Sequence, residues 1–115
     1  MNDCVNIYGE LISKIDFTDL FEKLKSSEFN CKIGDSSHYT GHIYLSMVFN
    51  SANVYFEKIT PNEFLIGGDS DKESDLKFLS QYVSNIFTQE KIKHRLELYD
   101  KKQNEFDYFH YNWPK

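Results

Sequence analysis

With 115 residues, 40% hydrophobic and 27% charged, the chain has the size and composition of one globular domain that can bury its own core. The net charge of −5 and the single arginine, Arg95, argue against nucleic-acid binding, because phosphate backbones are bound by surfaces dense in lysine and arginine. The two cysteines do not form a disulfide framework, and neither a signal peptide nor a transmembrane run is evident. We therefore expect one cytoplasmic domain, residues 1–115, with no membrane partner.

The first half of the chain predicts one helix and a series of strands. Residues 5–13 fit either a strand or the beginning of a helix. Asp16 is placed to cap a helix, and Phe17, Leu20, Phe21 and Leu24 form its apolar stripe. The strongest strand pattern follows, with Ile43, Leu45, Met47 and Phe49 on one face. Strands are predicted at residues 29–33, 41–50, 54–59 and 63–66.

The second half predicts a longer helix and a hairpin. The helix is expected to begin at a capping box, Ser70-Asp71-Lys72-Glu73. Its core stripe consists of Leu76, Leu79, Val83, Ile86 and Phe87, widened by Phe78 and Tyr82. Its polar face consists of Lys77, Ser80, Gln81, Ser84, Asn85 and Thr88. The hairpin is predicted from strands at 92–99 and 105–113, joined by a polar turn at 100–104.

This order of elements predicts the fold class. Strands that are joined by short loops must pair antiparallel, because parallel pairing needs a long crossover. The chain is therefore predicted to be α+β, with a mainly antiparallel sheet and two helices packed on one face.

Two candidate metal sites are rejected. Cys31, His38 and His42 supply three zinc ligands, but the loop around Gly41 gives them no fixed frame, and a structural site needs a fourth ligand. The spacing from Asp69 to Glu73 suggests calcium but lacks the glycine and the terminal glutamate of an EF-hand loop. We predict no metal and no cofactor.

The histidines of the hairpin, His94 and His110, offer a catalytic alternative. In one register they face each other, and that register also sets Glu97 opposite Asp107, which like-charge repulsion disfavours. A shift by two residues removes the clash and separates the histidines. With Asp100 or Asp107 as the carboxylate, a general base is conceivable, but no paired nucleophile is evident.

Acidic and aromatic residues are the candidates for contact with a partner. Asp69, Asp71, Glu73 and Asp75 surround the predicted helix start, where they either complement the helix dipole or dock a basic surface. Ten Phe, eight Tyr and one Trp are present. Tyr99 and Tyr111 lie on strand faces with charged residues, where tyrosine serves either an interface or the edge of the domain's own core.

The C-terminal third of the chain resembles the tail of small bacterial immunity proteins. The resemblance is carried by His94-Arg95-Leu96-Glu97-Leu98-Tyr99-Asp100 and by Tyr108-Phe109-His110-Tyr111-Asn112-Trp113-Pro114. Such proteins are encoded beside polymorphic or contact-dependent inhibition toxins. The resemblance implies cytoplasmic inhibition of a cognate toxin domain, often a nuclease, without enzymatic activity.

These observations lead to one hypothesis and two alternatives. The hypothesis is an immunity protein that presents an acidic, aromatic surface to a basic toxin domain. Its expected contact residues are Asp69, Asp71, Glu73, Asp75, Glu97, Tyr99 and Tyr111. The alternatives are a small enzyme that uses the histidine hairpin and a general protein-interaction module.

Overall fold

A seven-stranded antiparallel sheet organises the part of the chain that the computed structural model describes, residues 4–26, 28–35 and 43–114. The strands are β1 (Val5–Ile12), β2 (Asn30–Asp35), β3 (Ile43–Phe49), β4 (Ala52–Thr60), β5 (Glu63–Ser70), β6 (Lys93–Tyr99) and β7 (Glu105–Tyr111). The helices are α1 (Phe17–Leu24) and α2 (Glu73–Gln89). The strand order is β2-β3-β4-β5-β1-β6-β7, and the α+β prediction is confirmed.

The strand β1 lies inside the sheet, between β5 and β6. Val5, Ile7 and Leu11 alternate with more exposed residues, which settles the ambiguous segment 5–13 as a strand. Because β5 and β6 both pair antiparallel with β1, they run parallel to each other. The connection between them must therefore cross over, and α2 provides that crossover.

Helix α1 begins as its sequence predicts. The Asp16 carboxylate accepts a hydrogen bond from the backbone N–H of Asp19 at 2.8 Å, which is an N-cap. Leu20 and Leu24 are fully buried. Lys23 forms an ion pair with Glu90, which follows the end of α2, at 2.6 Å. The two helices thus lie side by side over one face of the sheet.

The core lies between the helices and that face of the sheet. Its largest fully buried side chains include Phe56, Phe64 and Phe87. The rings of Phe56 and Phe87 meet edge to face, with their centroids 6.1 Å apart, and so join β4 to α2. Burial of each such side chain contributes roughly 1.5–3 kcal/mol to the free energy of unfolding.

The junction of β5 and α2 differs from the prediction. β5 continues through Gly67 and Gly68 to Ser70, and α2 begins only at Glu73, with Lys72 as an N-cap that makes no side-chain capping bond. Gly68 is paired with Ile7 of β1 on one side and with Val54 of β4 on the other. This two-sided pairing keeps the glycines in the strand. The predicted capping box is therefore wrong, and the predicted strand 63–66 is present but continues to Ser70.

The faces of α2 also differ from the prediction. Ser80 and Ser84, which were assigned to the polar face, are buried, whereas Phe78 is 49% exposed. The Phe78 ring lies at the edge of the core against Phe29 and Phe49. The predicted core stripe is otherwise confirmed, because four of its members are buried: Leu76, Leu79, Val83 and Phe87. In the described residues, no helix is long and apolar enough to cross a membrane.

Candidate functional site

The sheet has two unlike faces. Helices α1 and α2 cover one face, which carries the core, and we call the other the open face. Along β1, Ile7 is buried, whereas its neighbour Tyr8 is 44% exposed. Because directly paired residues of neighbouring strands share a face, the registers extend this assignment from β1 across all seven strands.

Three transverse rows of side chains cross the middle of the open face. The middle row is Lys32, Ser46, Tyr55, Gly67, Tyr8, Glu97 and Tyr108. The row on one side is Gly34, Tyr44, Glu57, Leu65, Glu10, Arg95 and His110. The row on the other side is Asn30, Val48, Asn53, Asp69, Asn6 and Tyr99. The face thus mixes aromatic, acidic, basic, amide and small residues.

A groove of about 520 Å³ lies on the β2–β4 half of the open face. Ser46 forms its floor and donates a hydrogen bond to the Asn53 side chain at 3.3 Å. The flanking tyrosines lean away from this floor. A Cβ atom added to Gly34 would lie 2.7 Å from the Tyr44 ring, and one added to Gly67 would lie 2.8 Å from the Tyr55 hydroxyl. The two glycines therefore make room for the rings, and the groove stays open.

A cluster around Arg95 occupies the other half of the open face. The Arg95 guanidinium donates hydrogen bonds to Glu10 and Glu97. It also lies over two aromatic rings, 5.5 Å from the centroid of Tyr8 and 5.3 Å from that of Trp113. The hydrogen bond from Arg95 to Glu10 raises the pKa of the guanidinium. The charge of the only arginine in the chain is thus compensated within the protein.

The predicted contact residues Glu97 and Tyr99 belong to this cluster. The Tyr99 hydroxyl donates to the Glu97 carboxylate at 2.6 Å. This hydrogen bond raises the pKa of Tyr99 to about 12, because deprotonation would set two negative charges against each other. The two residues lie together on the open face, as parts of an ordered network.

The four acidic residues predicted as a patch do not share one environment. Asp69 is exposed on the open face, and Asp71 and Glu73 are exposed at the junction of β5 and α2. Asp75 is buried, and its carboxylate accepts hydrogen bonds from Ser51 Oγ at 2.8 Å and from Asn50 Nδ2 at 3.3 Å. These bonds, chiefly that from Ser51, lower the pKa of Asp75. Asp75 thus joins α2 to the β3–β4 turn, and we leave it out of the contact surface.

Tyr111 lies apart from the other predicted contact tyrosine. It is paired with His94, whose side chain points to the covered face, whereas Tyr99 is on the open face. One flat partner surface cannot contact both.

The histidine hairpin has neither of the two predicted registers. His94 is opposite Tyr111 and Arg95 is opposite His110, which is offset by one residue from the register that pairs the two histidines. The register shifts between Leu98 and Tyr99, where Phe106 is the extra residue of a bulge. An offset of one residue places His94 and His110 on opposite faces of the sheet.

The environment of His94 is that of a structural residue. The ring is fully buried, Nδ1 donates to the Ile92 carbonyl at 2.9 Å, and Nε2 accepts from the Ser84 hydroxyl at 2.7 Å. Burial lowers the pKa of His94 below its ordinary value, so the ring is neutral.

The carboxylates proposed as partners for these histidines are engaged elsewhere. Asp100 accepts two backbone hydrogen bonds within the β6–β7 turn, and Asp107 forms an ion pair with Lys77 at 3.3 Å. The structure does not bring the parts of the alternative catalytic site together.

The structure describes only one of the three proposed zinc ligands, Cys31. Cys31 is half-buried on β2, and burial raises the pKa of its thiol to about 11. His38 and His42 lie outside the described residues. Within residues 4–26, 28–35 and 43–114, no group of three or more His, Cys, Asp or Glu side chains is arranged to hold a metal ion.

Sequence reasoning missed the residues that distinguish the open face, above all Tyr8, Tyr55 and the groove around Ser46. A signal was present. Tyr8 follows Ile7, and Tyr55 lies between Val54 and Phe56, so both tyrosines occupy outward positions in alternating strands. An aromatic residue at an outward strand position is typical of a contact surface.

Comparison of the chain with family models, with curated proteins and with solved structures finds no match. The case for a function therefore rests on the geometry of the open face and on the resemblance of the C-terminal third.

Proposed function

We propose that this chain is an immunity-type inhibitor that binds a basic toxin domain in the cytoplasm through the open face of its sheet. The observation that carries the proposal is the pair of tyrosines in the middle row, Tyr8 and Tyr55, which are 44% and 43% exposed. An antiparallel sheet with one solvated face ordinarily carries polar side chains there. Large aromatic side chains at its centre suit burial against a protein.

The size of the open face supports this use. Seven strands at a spacing of about 4.8 Å make a surface roughly 29 Å across, and the strands extend about 20 Å in the other direction. The resulting area of roughly 580 Å² is about three-quarters of the roughly 800 Å² per partner that a standard protein interface buries. In such an interface a few central aromatic residues carry most of the affinity. Tyr8 and Tyr55 are placed for that role.

The charges support a basic partner. Glu57 and Asp69 lie on the open face, Asp71 and Glu73 are exposed at the junction of β5 and α2, and the chain carries a net charge of −5. A nuclease domain must bind a polyanion, so its substrate surface is basic. An acidic aromatic surface that covers such a site would block it and would be attracted to it over long range.

The proposal is tested by co-expression with the product of the neighbouring gene. We expect that product to arrest growth alone, and this chain to restore growth and to co-purify with it. Tyr8→Ala combined with Tyr55→Ala should abolish rescue, whereas Phe78→Ala, an equally exposed aromatic on the helical side, should not. A neighbouring product that is harmless or is not bound contradicts the function, and rescue by the double variant contradicts the surface.

A further inference from the structure

We propose that the groove over Ser46 is a binding site for a neutral sugar of about the size of a disaccharide. The strands β2, β3 and β4 build the site, and each of them supplies part of its lining. The guest is distinct from the protein partner of the proposed function, although both would cover Tyr55.

The dimensions of the groove suit one or two sugar rings. The groove runs along β3, which forms its floor from Tyr44 to Val48, a length of about 13 Å. Because β2 and β4 each lie about 4.8 Å from β3, the side chains of the two walls are rooted about 10 Å apart. The volume of about 520 Å³ lies in the range of roughly 300–1,000 Å³ that is typical of ligand pockets.

Aromatic rings lie on both sides of the floor. Tyr44 leans across β2 above Gly34, and Tyr55 leans across β5 above Gly67. The Tyr55 side chain is nevertheless 43% exposed, so a guest in the groove can reach its ring. The face of an aromatic ring carries partial negative charge, which attracts the slightly positive C–H groups on the face of a sugar ring. Tyr55 therefore offers a stacking surface that does not require a charged guest.

Two asparagines flank the other end of the floor. Asn30 on β2 and Asn53 on β4 are both paired with Val48, so the three residues lie in one transverse row, and both asparagines are exposed. Ser46 donates to the carbonyl oxygen of Asn53 at 3.3 Å, so the NH₂ group of this amide remains as a donor. An amide combines donors with an acceptor and thereby matches a hydroxyl group, which both donates and accepts.

The charges and polarity of the lining favour a neutral, hydroxyl-rich guest. The charged lining residues are one cation, Lys32, and one anion, Glu57, so the groove has no strong preference for either sign. An apolar guest would cover the amides and the Ser46 hydroxyl without giving them hydrogen bonds, which costs free energy. A sugar provides those bonds through the hydroxyls at its rim while its face packs on Tyr55. Lys32 adds donors from the β2 wall, and the guest does not need the Glu57 carboxylate.

The test is a titration of the ¹⁵N-labelled full chain, followed by NMR, with four neutral disaccharides: cellobiose, maltose, lactose and N,N′-diacetylchitobiose. We expect at least one of them to cause saturable shifts at residues 30–32, 44–48 and 53–55, with a Kd on the order of millimolar, as suits a small guest in an open groove. Sorbitol, which has the hydroxyls of a hexose but no ring, is the matched control. It should bind at least about 10-fold more weakly, because it has no flat face to stack on Tyr55.

The variants separate stacking from hydrogen bonding, and their spectra report that they are folded. Tyr55→Ala should weaken binding of the disaccharide at least about 10-fold, whereas Tyr55→Phe, which keeps the ring, should stay within about 2-fold. Asn30→Ala and Asn53→Ala should each weaken it about 3- to 10-fold through the loss of one hydrogen bond. Asn62→Ala, at an exposed asparagine of the β4–β5 turn, should leave the affinity unchanged.

Several outcomes would overturn the proposal. The absence of saturable shifts with all four disaccharides is one, and binding of sorbitol as tight as that of the disaccharide is another. Full affinity of Tyr55→Ala, or shifts confined to the Arg95 cluster, would place the guest elsewhere. Glucuronate differs from glucose by a carboxylate, and clearly tighter binding of glucuronate would identify an anion site instead.

The outcome is separable from that of the proposed function. If a disaccharide binds in the groove but the neighbouring gene product does not bind, the inhibitor proposal fails and the sugar site stands. If the complex with that product forms and no disaccharide binds, the sugar site fails and the inhibitor proposal stands.

Discussion

The covered face and the open face of this sheet are built on the same strands but differ in what fills the space between side chains. On the covered face, large apolar residues such as Phe56 and Phe64 interlock with the helices and leave no exposed surface. On the open face, tyrosine rings lie over glycines, and a groove stays open above a serine. Tight packing on the covered face specifies the fold. The looser packing on the open face leaves a surface against which a second molecule can pack.

The sharpest test of this contrast uses two neighbouring residues on β4. Phe56→Ala should lower the free energy of unfolding by about 3–5 kcal/mol, because it removes a fully buried ring from the core. Tyr55→Ala should lower it by less than about 1 kcal/mol, because the Tyr55 side chain is 43% exposed and lies outside the core. Urea unfolding followed by circular dichroism measures both. Equal losses would contradict the division into two faces.

Two glycines provide the next test. An alanine Cβ at Gly9 would lie 2.4 Å from the Arg95 carbonyl oxygen, which the backbone of β6 holds in place, so Gly9→Ala should destabilise the protein by about 1–3 kcal/mol. At Gly67 the Cβ would meet only the movable end of Tyr55. Gly67→Ala should therefore cost less than about 1 kcal/mol while moving the ring and altering the groove. A comparable loss at both positions in urea unfolding would refute this distinction.

Burial of His94 predicts that the free energy of unfolding depends on pH. Burial lowers the pKa of His94 in the folded state below its ordinary 6.5, so the unfolded chain binds the proton more readily. The contribution of His94 is complete above about pH 6.5 and is lost as the pH falls below that value, by at most about 1.4 kcal/mol per pH unit. Unfolding curves between pH 7.5 and 5 should show this slope in the natural protein. His94→Gln should reduce the slope and His110→Gln should retain it; the opposite pattern would refute the assignment.

The smallest effect concerns the two exposed acidic residues at the junction of β5 and α2. Charge reversal of Asp71 and Glu73 should slow association with a basic partner several-fold at low salt and much less at high salt, because exposed charges act mainly on the rate of encounter. Biolayer interferometry at two salt concentrations measures this rate. Reversal of the exposed Lys101, on the β6–β7 turn, is the control. An unchanged rate would restrict the contact surface to the open face itself.

The sequence correctly predicted the secondary-structure features that depend on residues close together in the chain. The alternation of Leu45 and Met47 located β3, and Asp16 marked the beginning of α1, because both signals lie within a few residues. Features that depend on distant strands were not predictable in this way. Gly68 stays in β5 because β1 and β4 hold it on both sides, and the hairpin register depends on a bulge at Phe106.

Most of the candidate site could not be predicted from the sequence for the same reason. Glu97 and Tyr99 were recognised from their own strand, but the groove requires Ser46, Tyr55 and Glu57 to be neighbours across strands. That Tyr8 and Tyr55 lie in one transverse row appears only when β1 and β4 are known to pair with β5 on either side.

The position of Trp113 has a practical consequence. It is the only tryptophan in the chain, and its indole lies over the cations of Lys93 and Arg95. Its intrinsic fluorescence therefore reports on the Arg95 cluster without any attached dye. A ligand that disturbs this half of the open face should change the emission, and one that contacts only the helices should leave it unaltered.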